Sequence, residues 1–441
     1  MCGFQQVKPW DALSGKDKGM TFVGLCIVVL GGDALWNLFL LWRNIRYYQD
    51  LRERGVPKPL ERFFPQGYEV SHEIAYALHS LRLSFFSQVA GFLLLGGVLF
   101  FGGLGVLCSW GVRMGGSGWG GSLLCFGVFM LGSALLRLPL DIYHDFVLEA
   151  RHGFGTRNVK VFVGDRLKSL GIQMLVMLPL FAALVSLTSL HYWYLWGAAL
   201  SVAVLLLFSY LAPQWLLPLF YTLKPLEDAS VREKIEALLE RASLKCQGVF
   251  VGDESQRSHH ANAMVLGLGK AKKILLFDTL LEKMEEPELL AITAHEIGHA
   301  VHGHIRKRLF WGVLSMVLLF GLMGLLWELP LPMDAGGTAT TVQGKFLLLF
   351  LTVSAGGSLI SGLLSPLYRR EEFEADAYGA NLAGRSAMMG ALRKLATGEL
   401  HWIGGDPLYR RWKHTHPTIS ERLQRLDEEG KSPETGVCEG S

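Results

Sequence analysis

Charge is scarce in this chain. Asp, Glu, Lys and Arg make up 18% of its 441 residues, against roughly 25% in soluble domains. Lys and Arg outnumber Asp and Glu by only 42 to 39. So small an excess argues against nucleic acid as a partner. Cysteine is also sparse. Cys2, Cys26, Cys108, Cys125, Cys246 and Cys438 are scattered, with no C-x-x-C pair. That spacing excludes a cysteine zinc site and predicts no disulfide framework. Cys438 stands fourth from the end, but Glu439 and Gly440 follow where a prenylation signal needs aliphatic residues, so an unmodified tail is expected. A cleavable signal-peptide pattern is missing too. The first apolar run begins near Thr21 and is too long for a leader's core.

What the chain has in quantity is long apolar runs. Half of its residues are hydrophobic. The runs fall at about 21–42, 84–108, 114–136, 169–223, 309–327 and 346–368. A membrane-spanning helix needs about 20 residues. The 169–223 run holds no Asp, Glu, Lys or Arg over 55 residues. As one helix it would far exceed a ~30 Å bilayer core, so it reads as two helices turning near Leu190-His191-Tyr192. Seven spans follow, with the termini on opposite sides. The N-terminal side then holds five basic residues, Lys8, Lys16, Lys18, Arg113 and Lys345, and the other side holds the remaining 37 of 42. The basic side is expected to be cytoplasmic.

The predicted fold is mainly α, a seven-transmembrane-helix bundle with a cytoplasmic α+β part. Residues 1–223 form the membrane domain, with loops at 43–83 and 137–168. Residues 224–308 form a cytoplasmic segment, 309–368 spans six and seven, and 369–441 a cytoplasmic C-terminal segment. Asp33, Asn37, Arg137 and Asp141 lie within spans or at their ends, where charge faces a bundle interior, a hydrated cavity or the interface.

One motif carries chemistry. His295-Glu296-Ile297-Gly298-His299 is an H-E-x-x-H sequence. On a helix, two histidines four apart share a face and can bind one Zn²⁺, while the adjacent Glu296 stands beside the metal as a base for its bound water. Leu290, Ala294, Ile297 and Val301 recur at helical spacing, and Pro287 suits a first turn. The third ligand is sought after span seven, in Arg369-Arg370-Glu371-Glu372-Phe373-Glu374-Ala375-Asp376. Spans six and seven, joined by a short loop, are expected to be antiparallel neighbours, which brings Glu372 to the paired histidines. Asp376, four residues on, suits a hydrogen bond that orients a ligand imidazole. His302 and His304 compete with Glu372 for the third position.

Two runs read as strands, Gly248–Gly252 and Lys273–Phe277. They suit a hairpin, or a strand edge near Ser258–Val265 to which an extended peptide could add. His416, before a short amphipathic helix, reads by itself as a surface residue.

Together these stretches resemble the type I CAAX prenyl protease family. The resemblance runs over most of the chain and is carried by Gln256–Ala263, Ile274–Leu281, His295–His299, Arg369–Asp376, His416–Leu423 and Phe146–Phe154. It implies integral-membrane zinc peptidases with a water-filled chamber and a site at its cytoplasmic end. It implies His295, His299 and Glu372 as zinc ligands and Glu296 as the catalytic base. It also implies that Asn262 and Ala263 hold the substrate backbone, and that His416 and Arg422 steady the substrate carbonyl. Met264 stands where an aromatic residue is common. With one Zn²⁺ per chain, the expected activity is metalloendopeptidase cleavage of CAAX-type or other peptides, possible substrates including prenylated or membrane-embedded ones. A membrane-protein quality-control protease is the alternative, and a transporter or channel the non-enzyme one. The tail has no di-basic retrieval signal, which favours a bacterial inner membrane over the endoplasmic reticulum.

Overall fold

The computed structural model describes residues 21–55, 70–267, 272–329, 341–398 and 404–431. Lys8, Lys16, Lys18 and Cys438, on which the topology and tail readings draw, lie outside the described residues. Among the described residues, seven helices are long and apolar enough to cross a membrane. They are α1 (Phe22–Arg54), α2 (Ser71–Phe100), α4 (Trp119–Arg151), α5 (Val159–Leu187), α6 (Trp193–Phe220), α10 (His304–Trp327) and α11 (Val342–Ala383). The charge-free run does break where length demands, with Tyr192 in the left-handed region (φ 54°) just before α6. Each span hides part of its apolar surface inside the bundle around Phe181, Trp193, Phe346 and Leu347 and presents the rest outward. Apolar outward faces are what lipid contact requires.

The second span departs from expectation. Its helix begins at Ser71 and stops at Phe100, where Gly102 takes a left-handed turn (φ 69°). Residues to 115 form a separate short helix, α3 (Gly103–Gly115), folded against α4. The expectation about cysteines is also corrected here. Cys108 and Cys125 form a disulfide between α3 and α4. Sequence spacing could not show it, because the pairing depends on how closely the two helices pack. A Cβ on Gly111 would meet the Cys125 nitrogen at 2.9 Å, and one on Gly121 would meet the Gly116 oxygen at 2.0 Å. Glycine alone permits that approach.

Between spans five and six lies a four-stranded sheet of β1 (Leu223–Pro225), β2 (Val249–Gly252), β3 (Ala263–Leu266) and β4 (Lys273–Phe277). The order is β1-β2-β4-β3. Both strand-like runs are strands, but they are not a hairpin. β2 and β4 run parallel, Val249 opposite Ile274, while β3 pairs antiparallel with β4 and leaves its other side as the sheet's edge. The long connection from β2 to β4 is what a parallel pair requires. Behind the sheet, α7 (Ala229–Arg241) and α9 (Glu286–Val301) close a core around Ile235, Ile274, Leu276 and Ile297. The short α8 (Asp278–Lys283) joins β4 to α9.

Candidate metal centre

Helix α9 starts at a capping box. The side chains of Glu285 and Glu288 each accept from the other's end of the first turn, with Pro287 inside that turn. Ala294 and Ile297 are fully buried as the stripe predicted, but Val301 is 39% exposed. The helix ends at His302. Gly303 then turns left-handed (φ 68°), and His304 opens α10 in a new direction.

The third carboxylate arrives on α11. At 42 residues this helix is roughly 60 Å long, about twice a bilayer core. Its surplus length carries Glu372 and Asp376 past the membrane to α9. The two helices cross at small residues. A Cβ on Gly298 would sit 3.2 Å from the Ala375 Cα, and one on Gly379 would sit 3.0 Å from the His295 nitrogen. Larger residues at the crossing would push Glu372 away from the histidines.

The three expected ligands meet. Nε2 of His295 and Nε2 of His299 are 3.2 Å apart. Glu372 places one oxygen 3.6 Å from the first and the other 3.5 Å from the second. Adjacent donors on a tetrahedral ion with bonds of about 2.0–2.1 Å lie about 3.3–3.4 Å apart, so the triangle has the right size. The tautomers fit as well. Nδ1 of His295 lies 2.9 Å from an Asp376 oxygen, and an ionised carboxylate only accepts, so that nitrogen carries the proton. His299 Nδ1 lies 2.8 Å from His304 Nδ1, and His304 Nε2 lies 3.3 Å from Glu374. By the same logic His304 donates to Glu374 and accepts from His299. Both Nε2 atoms therefore present lone pairs to each other and to a carboxylate, an arrangement that repels unless a cation sits among them. Among the described residues this is the group with metal-holding geometry.

His304 thus stands outside the triangle, as the hydrogen-bond partner of the His299 ring. It is fully buried, and its interval of five from His299 is the only sequence signal it leaves. His302 stacks on His304 and turns its edge to Tyr378. Arg308 was missed. It donates to Glu371 at 2.7 Å and to Glu372 at 3.1 Å, fixing the ligand carboxylate. Arg422 holds Asp376 by two bonds, 2.7 and 2.5 Å, so its guanidinium braces the arm behind His295. His416 reaches over Glu372, Nε2 to oxygen 3.3 Å.

Glu296 points to the edge strand, where one of its oxygens accepts from the Val265 N–H at 3.3 Å. Burial raises its carboxyl above the usual range and Glu372 adds to this, while His295, His299 and the Val265 N–H oppose it. The crowding of protein around His416 lowers its pKa; Glu372 opposes this, and Arg422 and Arg308 reinforce it.

The Phe277 N–H donates to the Asn262 carbonyl. Alternation along an antiparallel pair then turns the main-chain groups of Ala263 and Val265 outward. Asn262 covers the Ala263 N–H with its own side-chain oxygen at 2.9 Å. The segment before it is held by the end of α4 and the turn that follows it, residues 149–154. His260 stacks on Phe154 with ring centroids 4.1 Å apart and sets Nε2 3.2 Å from Glu149. A cavity of about 740 Å³ joins these parts, lined among others by Asn262, Ala263, Glu296, Glu372, His416 and Arg422. Such a volume is typical of ligand-binding clefts.

Comparison with known proteins agrees with this architecture. Residues 225–430 match the family described as peptidase family M48, and residues 44–222 match the CAAX prenyl protease N-terminal family of five membrane helices. CAAX prenyl protease 1 of Saccharomyces cerevisiae is 32% identical over 69% of this chain and 72% of its own length. The CAAX prenyl protease 1 homolog of rice, Oryza sativa subsp. japonica, is 29% identical over 92% of this chain and 96% of its own. The crystal structure of S. mikatae Ste24p superposes with a TM-score of 0.83 at 26% identity, covering 93% of this chain and all of that one. The chain belongs to the CAAX prenyl protease 1 family, multi-pass membrane metallopeptidases of family M48.

Proposed function

We propose that this protein is a zinc endopeptidase that cuts peptides near their C-termini at the cytoplasmic face of its membrane, with CAAX-type sequences as the substrate class. The observation that supports this most is the triangle of His295, His299 and Glu372 with its lone pairs turned inward. Two imidazoles and one carboxylate are a common catalytic zinc set, which leaves a fourth position open. When bound, zinc supplies a Lewis acid and makes water acidic enough to attack near neutral pH. Glu296 accepts the proton of the attacking water and passes it to the leaving amine. His416 donates its N–H to the developing oxyanion, usually the largest catalytic contribution. Asp376, braced by Arg422, keeps His295 in the binding tautomer. Asn262 and Ala263 begin the strand edge to which an extended substrate adds, its main chain pairing beside Ala263 and Val265.

The domain boundaries given above are part of the proposal, as is the cytoplasmic side. Support for the side comes from the excess of Lys and Arg on the loops that share the face with the metal centre. The relatives named above are eukaryotic, so the expectation of a bacterial inner membrane draws nothing from them. Metal analysis of purified protein, with cleavage of a prenylated CAAX peptide before and after chelation, tests the reading. Stoichiometric zinc and chelator-sensitive cleavage are expected. Chelator-resistant cleavage would sink it, and cleavage of an unfolded membrane protein alone would move it to quality control.

A further inference from the structure

The cavity over the metal centre is lined by three permanent cations, Arg308, Arg422 and Lys413. Two are already neutralised. Arg308 is shared between Glu371 and Glu372, and Arg422 is held by Asp376. Lys413 differs. Its ammonium donates to the side-chain oxygen of Asn37, a neutral group on α1. Among the described residues, no carboxylate oxygen comes within ion-pair distance of it. Asp33 acts on it only at longer range and already accepts the Ser358 hydroxyl. Desolvation by the neighbouring protein lowers the pKa of Lys413 and Asp33 opposes this, while the residue as a whole keeps an exposed surface.

Its place in the chain sets its reach. Lys413 ends helix α12 (Pro407–Lys413), and His414 leaves that helix in an extended conformation. His416, three residues on, touches Glu372. Three residues span at most about 11 Å, so Lys413 lies no further than that, Cα to Cα, from the group over the metal centre. A peptide with two or three extended residues beyond the scissile bond places its terminal carboxylate about 7–10 Å from that bond. An ammonium that lines the same cavity as the metal centre, with no carboxylate within ion-pair distance among the described residues, is suited to a carboxylate that arrives with the ligand.

We infer that Lys413 binds the free C-terminal carboxylate of the peptide substrate and so makes the enzyme selective for cuts near a chain end. This rests on the endopeptidase reading above. The chemistry is a charge-assisted hydrogen bond in a partly desolvated cavity, and such bonds contribute more than neutral ones.

The test uses the full-length, zinc-loaded protein and one quenched fluorescent peptide in two forms, ending in a carboxylate or a carboxamide. The wild type is expected to cleave the acid with kcat/KM about tenfold or more above the amide. K413Q is expected to bring the ratio to within about twofold of one, and K413R to keep it. Equal cleavage of the two forms by the wild type would overturn the inference while leaving the endopeptidase reading intact. An unchanged ratio in K413Q would do the same. Failure to cleave either form would overturn both. The wild-type ratio decides even if a variant does not fold.

Discussion

Asp376 joins two buried groups, and its removal has a size that the structure lets us work out. Its side chain is 2% exposed. One oxygen faces His295 Nδ1 at 2.9 Å, and both hold Arg422. In Asp376→Asn the shape is kept but one acceptor becomes an NH₂ donor. That donor must point at the Arg422 guanidinium or at the His295 N–H, both donors themselves. If His295 yields, its proton moves to Nε2 and the lone pair meant for the metal is lost. Loss of a partner behind a metal-ligating histidine weakens metal affinity by about 10- to 100-fold, which is about 1.4–2.7 kcal/mol. Arg422 also loses the counter-charge for a guanidinium that is only 11% exposed. An unpaired buried charge destabilises by about 3–5 kcal/mol. The same pair predicts strong coupling, with Asp376→Asn combined with Arg422→Met far less harmful to stability than the two singles summed. Zinc affinity is read by competition with a chromophoric chelator, and stability by thermal unfolding in detergent. Wild-type zinc affinity in the single variant, or simple additivity in the double, would refute the reasoning.

Glu296→Gln should retain zinc, because Glu296 is not in the ligand triangle, and should lose about 10²- to 10⁴-fold in turnover; wild-type turnover would remove Glu296 from its role. Gly379→Leu should part α9 from α11, since even a Cβ there meets the His295 backbone at 3.0 Å. A loss of about 1–3 kcal/mol in stability, with lower zinc content, is expected, and full zinc occupancy would count against the crossing as the device that delivers Glu372. Asp406 offers a pH test. Burial raises its carboxyl, but Arg43 and the N–H groups of Leu408 and Tyr409 outweigh this and hold it below the usual carboxylate range. Its contribution is therefore complete above the unfolded value of about 3.9 and is lost as pH falls through the lower folded value. Arg43→Gln should make thermal stability fall at a higher pH than in the wild type, and superimposable stability–pH curves would show that the pair contributes nothing.

Much of the site was legible because its chemistry is periodic or short-range. His295, Glu296 and His299 are placed by helical spacing alone, and membrane spans announce themselves through runs of apolar residues. Glu372 could be proposed because spans six and seven had to return to one face. His304 and Arg308 were harder to read. Each acts through a partner brought up by a turn at Gly303 or by the neighbouring helix, and nothing in their own neighbourhood of the sequence marks that. The pairing of Arg422 with Asp376 is hidden for the same reason, since the two lie on different helices 46 residues apart.

By itself the sequence determined the membrane-spanning helices and the helical placing of His295, Glu296 and His299 on one turn, since each depends on local composition or spacing. Tertiary structure decided the rest. The Cys108–Cys125 link, the parallel course of β2 and β4 and the crossing at Gly298 and Gly379 all depend on how closely backbones far apart in the chain approach. At the two helix contacts that distance is set by glycines whose effect appears only when a second helix lies against them, and between the strands it is set by the ladder of backbone hydrogen bonds.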